Sequence, residues 1–153
     1  MRYAVTCALI LCALGTQAVP QETAKRKIPC KAPENTSTCY WTRGRLSVYN
    51  GNPSWRLWKV GTKRILGIYS GPSAFPLRID EDSGSPEFPA NLDRIYQAHY
   101  KSEVAKGNDS AFPDSTFGDF EVCPLEPVRK GEMQAACIES TKNIFFQPYV
   151  PRY

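Results

Sequence analysis

The stretch Trp41–Ile68, WTRGRLSVYNGNPSWRLWKVGTKRILGI, decides how this chain folds. It contains every tryptophan of the protein and no acidic residue. Two turn signals divide it into three short strands. Gly61-Thr62 fits a two-residue hairpin turn with glycine first. Asn50-Gly51-Asn52-Pro53 supplies the other turn, and Pro53, which has no N–H for a ladder, belongs in the loop. Pairing Val60 with Lys63 sets Trp58 opposite Ile65, Leu57 opposite Leu66 and Trp55 opposite Ile68. Pairing Tyr49 with Ser54 sets Val48 opposite Trp55 and Leu46 opposite Leu57. A slip of one residue would oppose Leu46 to Arg56, which burial penalises.

This register separates two faces, because side chains alternate across a strand. Leu46, Val48, Trp55, Leu57, Leu66 and Ile68 form the core face. Arg43, Arg45, Ser47, Tyr49, Arg56, Trp58, Lys63 and Ile65 form a mixed face, with Trp41 on the same side. Arg45 lies opposite Trp58, as a cation–π pair requires. Lys59 and Arg64 oppose each other at the rim of the core face. The mixed face reads in two ways: an aromatic platform flanked by arginines, or a surface that the rest of the chain covers.

The chain has 153 residues, enough for one domain with one core. Hydrophobic residues make up 42% and charged residues 22%, a balance that folds rather than staying disordered. Residues 1–18 read as a signal peptide: Arg2 gives the positive start, Ala4–Leu14 is apolar, and cleavage is expected after Ala18. The apolar run is far shorter than the roughly 20 residues of a bilayer span, so no transmembrane segment is expected and the protein should be secreted. Cys7 and Cys12 leave with the leader. Cys30, Cys39, Cys123 and Cys137 remain for disulfides in an oxidising compartment. Asn35 and Asn108 open N-glycosylation sequons.

Residues 19–38 form an exposed arm. Lys25-Arg26-Lys27 within it reads as a solvated basic run or as a processing site. Cys30 and Cys39 are expected to close a short loop. Residues 39–147 form a single β-rich domain. Tyr69–Pro89 is loop. Leu92–Lys106 has helical spacing, with Leu92, Ile95, Tyr96, His99 and Val104 on one side and Gly107 as the stop. Asn108–Gly118 reads as loop. Phe120–Leu125 and Glu132–Ser140 read as a hairpin, and pairing Cys123 with Cys137 aligns Val122 with Ile138. A cross-strand Cys123–Cys137 bridge follows, with Glu121 left facing Glu139. Asn143–Gln147 reads as a last strand and residues 148–153 as a tail.

Charge is divided along the chain. Lys25–Arg64 holds ten basic residues and one acid, whereas Arg78–Glu139 holds six basic residues and thirteen acids. Either the basic face binds a polyanion, or the acidic half folds over it and neutralises it. Export argues against nucleic acid as the partner.

No catalytic signature stands out. His99 is the only histidine, so a Ser–His–Asp type of hydrolase would have to use it. Its place on the apolar side of the helix fits packing. Asp80 and Asp82 are the only hint of a metal site, as oxygen ligands in a calcium-like loop that lacks a third acid. Asp114, Asp119 and Glu121 offer carboxylates for glycoside hydrolysis, as any acid-rich domain does. No cofactor motif is present.

The runs Arg43–Ser47, Tyr49–Pro53, Arg56–Trp58 and Gly61–Gly67, with Phe120–Leu125 and Met133–Ser140, resemble small exported proteins carrying a domain of unknown function. The resemblance covers Trp41–Asn143 and implies one unit from first strand to last. It brings no activity, ligand or catalytic residue.

The expected protein is therefore a small antiparallel β-sandwich or partly open barrel with one helix and two disulfides. Its expected role is a secreted, non-enzymatic binding module, with an acidic glycan or an extracellular protein as the candidate ligand. Arg43, Arg45, Tyr49, Arg56, Trp58 and Lys63 are the candidate contacts. The alternatives are a structural matrix component and a small hydrolase using His99.

Overall fold

A computed structural model of the chain describes residues 28–72, 85–108 and 115–147. The leader, the basic triplet, Asp80, Asp82, Asp114 and the tail lie outside these residues. Five strands and one helix follow in order: β1 Tyr40–Val48, β2 Trp55–Lys59, β3 Ile65–Ile68, α1 Ala90–Ala105, β4 Ser115–Pro124 and β5 Gln134–Gln147. The strands close into a barrel in the order β1-β2-β3-β5-β4. The mainly β fold with one helix and two disulfides is as expected. The barrel is fully closed, and its β3–β5 contact is parallel.

The first three strands take the register that the alternation predicts. Leu46 pairs with Leu57 and Val48 with Trp55. Leu57 pairs with Leu66 and Trp58 with Ile65. The second turn is wider than the two-residue hairpin expected. Thr62 N–H donates to Lys59 O at 3.1 Å, Lys59 N–H donates to Arg64 O at 3.0 Å, and Gly61 turns the chain at φ +80. Faces are unaffected, because the pairing of Trp58 with Ile65 is the same in both geometries.

Inside the barrel, Leu46, Leu57, Leu66, Ile68, Phe120, Val122, Ala136 and Ile138 form one core, joined by Leu92 of the helix. Val48 does not belong to it. Lying at the end of β1, it is 52% exposed, so the core face ends one residue pair earlier than expected. Gly44 and Gly118 face each other across the β1–β4 joint. A Cβ on Gly44 would come within 2.5 Å of Leu57 Cδ1, and one on Gly118 would strike Ile144. Both glycines admit a neighbour where a side chain would not fit.

β4 begins at Ser115, within the segment expected to be loop. The expected last strand is the outer half of β5, which continues past a bulge. There Asn143 takes φ 54 and the β4 register shifts between Phe117 and Asp119. A second shift places Glu121 opposite Ser140 rather than Glu139, which removes the like-charge pair.

β3 is short, so it leaves the outer half of β5 without a neighbour on that side. α1 lies against this half. Asn91 Nδ2 donates to Thr141 O at 2.7 Å, and the Tyr96 hydroxyl meets the Thr116 hydroxyl at 2.8 Å. The helix ends as Gly107 predicts. Gly107 N–H donates to Val104 O and Asn108 N–H to Glu103 O, a pair of bonds that closes the last turn with Gly107 at φ +81. Val104 is exposed, so the apolar side ends at His99.

The disulfides differ from expectation. They join Cys30 to Cys137 and Cys39 to Cys123, not Cys30 to Cys39 and Cys123 to Cys137. The predicted register is nevertheless present, since Cys123 does face Cys137 and Val122 does face Ile138. Both cysteines point to the outside of the barrel, where Cys137 meets Cys30 of the arm and Cys123 meets Cys39 at the start of β1. Tyr40 pairs with Val122, so Cys39 falls beside Cys123 at a Cα separation of 4.1 Å. Cys30, Cys123 and Cys137 are wholly buried in a small outer cluster with Leu125. The arm is thus pinned to the barrel at Cys30 and Asn35, while Pro33, Glu34 and Thr36–Thr38 stay exposed. Asn35 fixes its turn, with Nδ2 donating to Cys30 O at 2.9 Å and Oδ1 accepting from Ala32 N–H at 2.8 Å.

The bridges enclose 107 and 84 residues of sequence separation, long loops whose closure restricts the unfolded chain strongly. Removing Cys39–Cys123 as a Ser pair should lower unfolding free energy by about 2–4 kcal/mol in denaturant titration. Non-reducing peptide mapping should recover Cys30 with Cys137 and Cys39 with Cys123. A recovered Cys123–Cys137 peptide would contradict the arrangement.

Candidate functional site

The candidate residues lie on the outside of the hairpin β1–β2, where the strand alternation puts them. They do not act alike. Arg56 holds the β1–β2 turn: its Nε donates to Pro53 O at 3.0 Å, and its guanidinium lies 5.2 Å from the Tyr49 ring. The Tyr49 hydroxyl accepts from Arg45 Nη2 at 2.9 Å. Arg45 in turn lies 5.1 Å over Trp58, as the register predicts, and Trp58 Nε1 donates to Thr62 O at 2.8 Å. Arginines and rings therefore alternate along the hairpin. Arg56 and Tyr49 belong to its stability, while Arg45 and Trp58 reach the open part of the face. Ser47 is buried against Ser115, and Lys63 lies apart in the β2–β3 turn.

The barrel extends this face beyond what the hairpin alone suggests. Arg45 faces Phe117 across β1–β4, and Phe117 faces Phe145 across β4–β5. The two phenyl rings stack at 5.3 Å with an interplanar angle of 9°. Trp58, Arg45, Phe117 and Phe145 thus form a row across four strands. Its ends are open, with Trp58 39% and Phe145 49% exposed. Phe117 and Phe145 escape a reading by sequence because Gly118 and Asn143 interrupt their alternation. Placing Thr116, Phe120 and Val122 on one face and Phe117, Asp119 and Glu121 on the other would have recovered the first of them.

Among the described residues, the acidic strand β4 lies beside the basic strand β1. β4 brings Asp119 opposite Arg43 and Glu121 opposite Trp41 in the same surface layer. These carboxylates have other work. Glu121 accepts from Lys31 Nζ at 2.6 Å, and Glu139 accepts from Lys31 N–H at 3.1 Å. The bond to Glu121 holds the Lys31 ammonium above its ordinary pKa. Asp119 accepts from Asn143 Nδ2 at 2.7 Å. Lys142 covers Trp41, with its ammonium 4.1 Å from the ring. Among the described residues neither Arg43 nor Arg45 makes an ion pair, and the buried Nε of Arg45 has no hydrogen-bond partner. Lys59, opposed to Arg64, directs its ammonium to the Tyr40 ring and hydroxyl instead.

His99 packs with its ring 4.2 Å from Phe146. Glu103, one turn along the helix, is held below its ordinary pKa by hydrogen bonds from Lys106 and then Asn108. Among the described residues no group of three or more His, Cys, Asp or Glu side chains could hold a metal ion. Trp55 is half-buried and packs against the core. Its ring meets Phe88 edge-on at 4.9 Å. With Phe88, Tyr96 and Tyr100 it lines a cleft of about 440 Å³, into which Asp93 and Gln97 also face.

Comparison of the chain with protein-family models, with curated proteins and with solved structures finds no match.

Two outcomes follow from these environments. Burial pushes the Tyr96 phenol up from 10.0 to about 12, against the opposing effect of its bond to Thr116. The neutral phenol is the form the fold favours. Its contribution to stability is complete below pH 10 and fades as the pH rises towards 12. Phenolate absorbance should show one late-titrating tyrosine that Tyr96→Phe removes, at a cost of about 1 kcal/mol for the lost hydrogen bond. The sequons should also part. The Asn35 amide is buried and bonded on both atoms, which leaves no room for a glycan, whereas Asn108 is exposed. In a eukaryotic secretory host, Asn108→Gln should abolish the glycosidase-sensitive mass and Asn35→Gln should leave it unchanged.

Proposed function

We propose that the protein is an extracellular, non-enzymatic binding module that takes an acidic glycan on the outer face of β1, β2, β4 and β5. The observation that carries this reading is the row Trp58, Arg45, Phe117 and Phe145, open at both ends, beside arginines with no ion partner among the described residues. Sugar rings offer C–H faces that stack on aromatic side chains, and a uronate carboxylate suits a guanidinium fork. The rings here are held in place by packing, so little ordering cost accompanies contact. Arg43, Arg45 and Trp58 are the contacts from the original set. Phe117 and Phe145 join them, while Tyr49 and Arg56 support from below.

The leader-like start and the two disulfides support an oxidising, extracellular setting. No helix among the described residues is long and apolar enough to cross a membrane, which says nothing of strands.

A panel of immobilised neutral and uronate-containing glycans tests the proposal. The wild type should be retained on uronate-containing chains. Trp58→Ala with Phe145→Ala should reduce affinity by roughly tenfold or more, as the loss of two stacking contacts worth about 0.5–1.5 kcal/mol each implies. Arg43→Gln should weaken the acidic glycans only. Equal retention of the wild type and the double variant on every glycan would overturn the reading.

A further inference from the structure

The barrel brings together, at one end, two pairs of cations that are far apart in sequence. Leu66 pairs with Gln134 in the parallel β3–β5 contact, and this sets the β2–β3 turn beside the β4–β5 loop. Between them runs a groove of about 680 Å³. Lys63 and Arg64 form one wall, and Arg129 and Lys130 form the other. All four are exposed. Glu132 is the one acid of the lining, and it serves Arg129 through a long, exposed contact of 3.4 Å. Lys63, Arg64 and Lys130 make no ion pair among the described residues.

Both walls are braced by hydrogen bonds from side chains to backbone. Thr62 Oγ1 donates to Lys59 O at 2.9 Å and accepts from Arg64 N–H at 3.0 Å. Across the groove, Glu126 fixes the root of the loop: its Oε1 accepts from Ala135 N–H at 2.9 Å, and its carbonyl accepts from Gln134 Nε2 at 2.8 Å. Four cations lining one groove repel one another, and a bound anion relieves the repulsion.

We infer that this groove is a second, separate anion site, and that its occupant is the sulfate groups of a polysulfated glycan chain. Two features favour that chemistry. The groove is open at the surface and its four cations are all exposed, which suits a polyanion lying along the surface rather than one buried phosphate. It contains no aromatic ring, so it offers no platform on which a nucleobase would stack. The inference rests on the reading of the chain as an extracellular binding protein, but not on the aromatic row.

Salt-dependent retention on immobilised heparin tests it, using the full mature chain. Lys63→Gln with Arg64→Gln should lower affinity, and so should Arg129→Gln with Lys130→Gln. Each pair should cut affinity roughly tenfold near physiological salt and reduce the slope of log affinity against log salt by about two, as counterion release requires. Arg94→Gln with Lys101→Gln, on the exposed side of α1, removes the same charge elsewhere and should change retention little. Circular dichroism and thiol counts establish that each variant is folded with both bridges. Heparin also carries uronates that the aromatic face would take, so each groove pair should lower affinity by the same factor in the Trp58→Ala, Phe145→Ala background as in the wild type, which separates this site from the aromatic face. Three results would overturn the inference: groove variants that elute with the wild type, an equal loss in the α1 variant, or stronger groove-dependent binding to single-stranded DNA or acidic vesicles than to heparin.

Discussion

The joint between β1 and β4 governs this structure. The first half of the chain makes a three-stranded meander, and the second half makes a hairpin. Neither can bury its inner face alone, since a sheet with one apolar side needs a partner layer. The joint runs from Tyr40 with Val122 to Leu46 with Thr116, and it brings Phe120 and Val122 over Leu46 and Leu57. The β3–β5 contact closes the other side, and α1 fills the gap where β3 is too short. Closure gives every strand two neighbours over part of its length, and α1 lies against the outer half of β5 where β3 stops short.

The joint also arranges the surface. It places an acidic strand next to a basic one and so spreads opposite charges side by side. The carboxylates are then drawn away by Lys31 and Asn143. What remains on the outer face is a guanidinium between aromatic rings. Arg45 is the hinge of that arrangement, bonded to Tyr49 on one side and lying over Trp58 on another.

Local alternation made much of this legible. The registers of β1, β2 and β3, the two faces, the Arg45–Trp58 pair and the stop at Gly107 all follow from neighbours in sequence. Features that depend on the joint were not legible. Cys123 does face Cys137, yet the bridge goes elsewhere because β1 delivers Cys39 to the same place. Ser115–Gly118 looks like loop because Gly118 leaves space that only Ile144 explains. The basic groove was hidden for a related reason. Arg129 and Lys130 belong to the acidic half, and a charge count along the chain credits them to the wrong side.

The two disulfides have a consequence for a chain that has been cut. Both span the whole region between β3 and β4, so a single break anywhere from residue 73 to 114 lies inside both loops. The resulting pieces carry the meander and the hairpin separately. They stay linked at Cys30–Cys137 and Cys39–Cys123, and both strand contacts that close the barrel run between them. A nicked molecule would therefore remain one particle with its faces intact, and only reduction would release the halves. The bridges thus carry the connection between the two halves, while Leu92, Asn91 and Tyr96 tie α1 itself to the barrel.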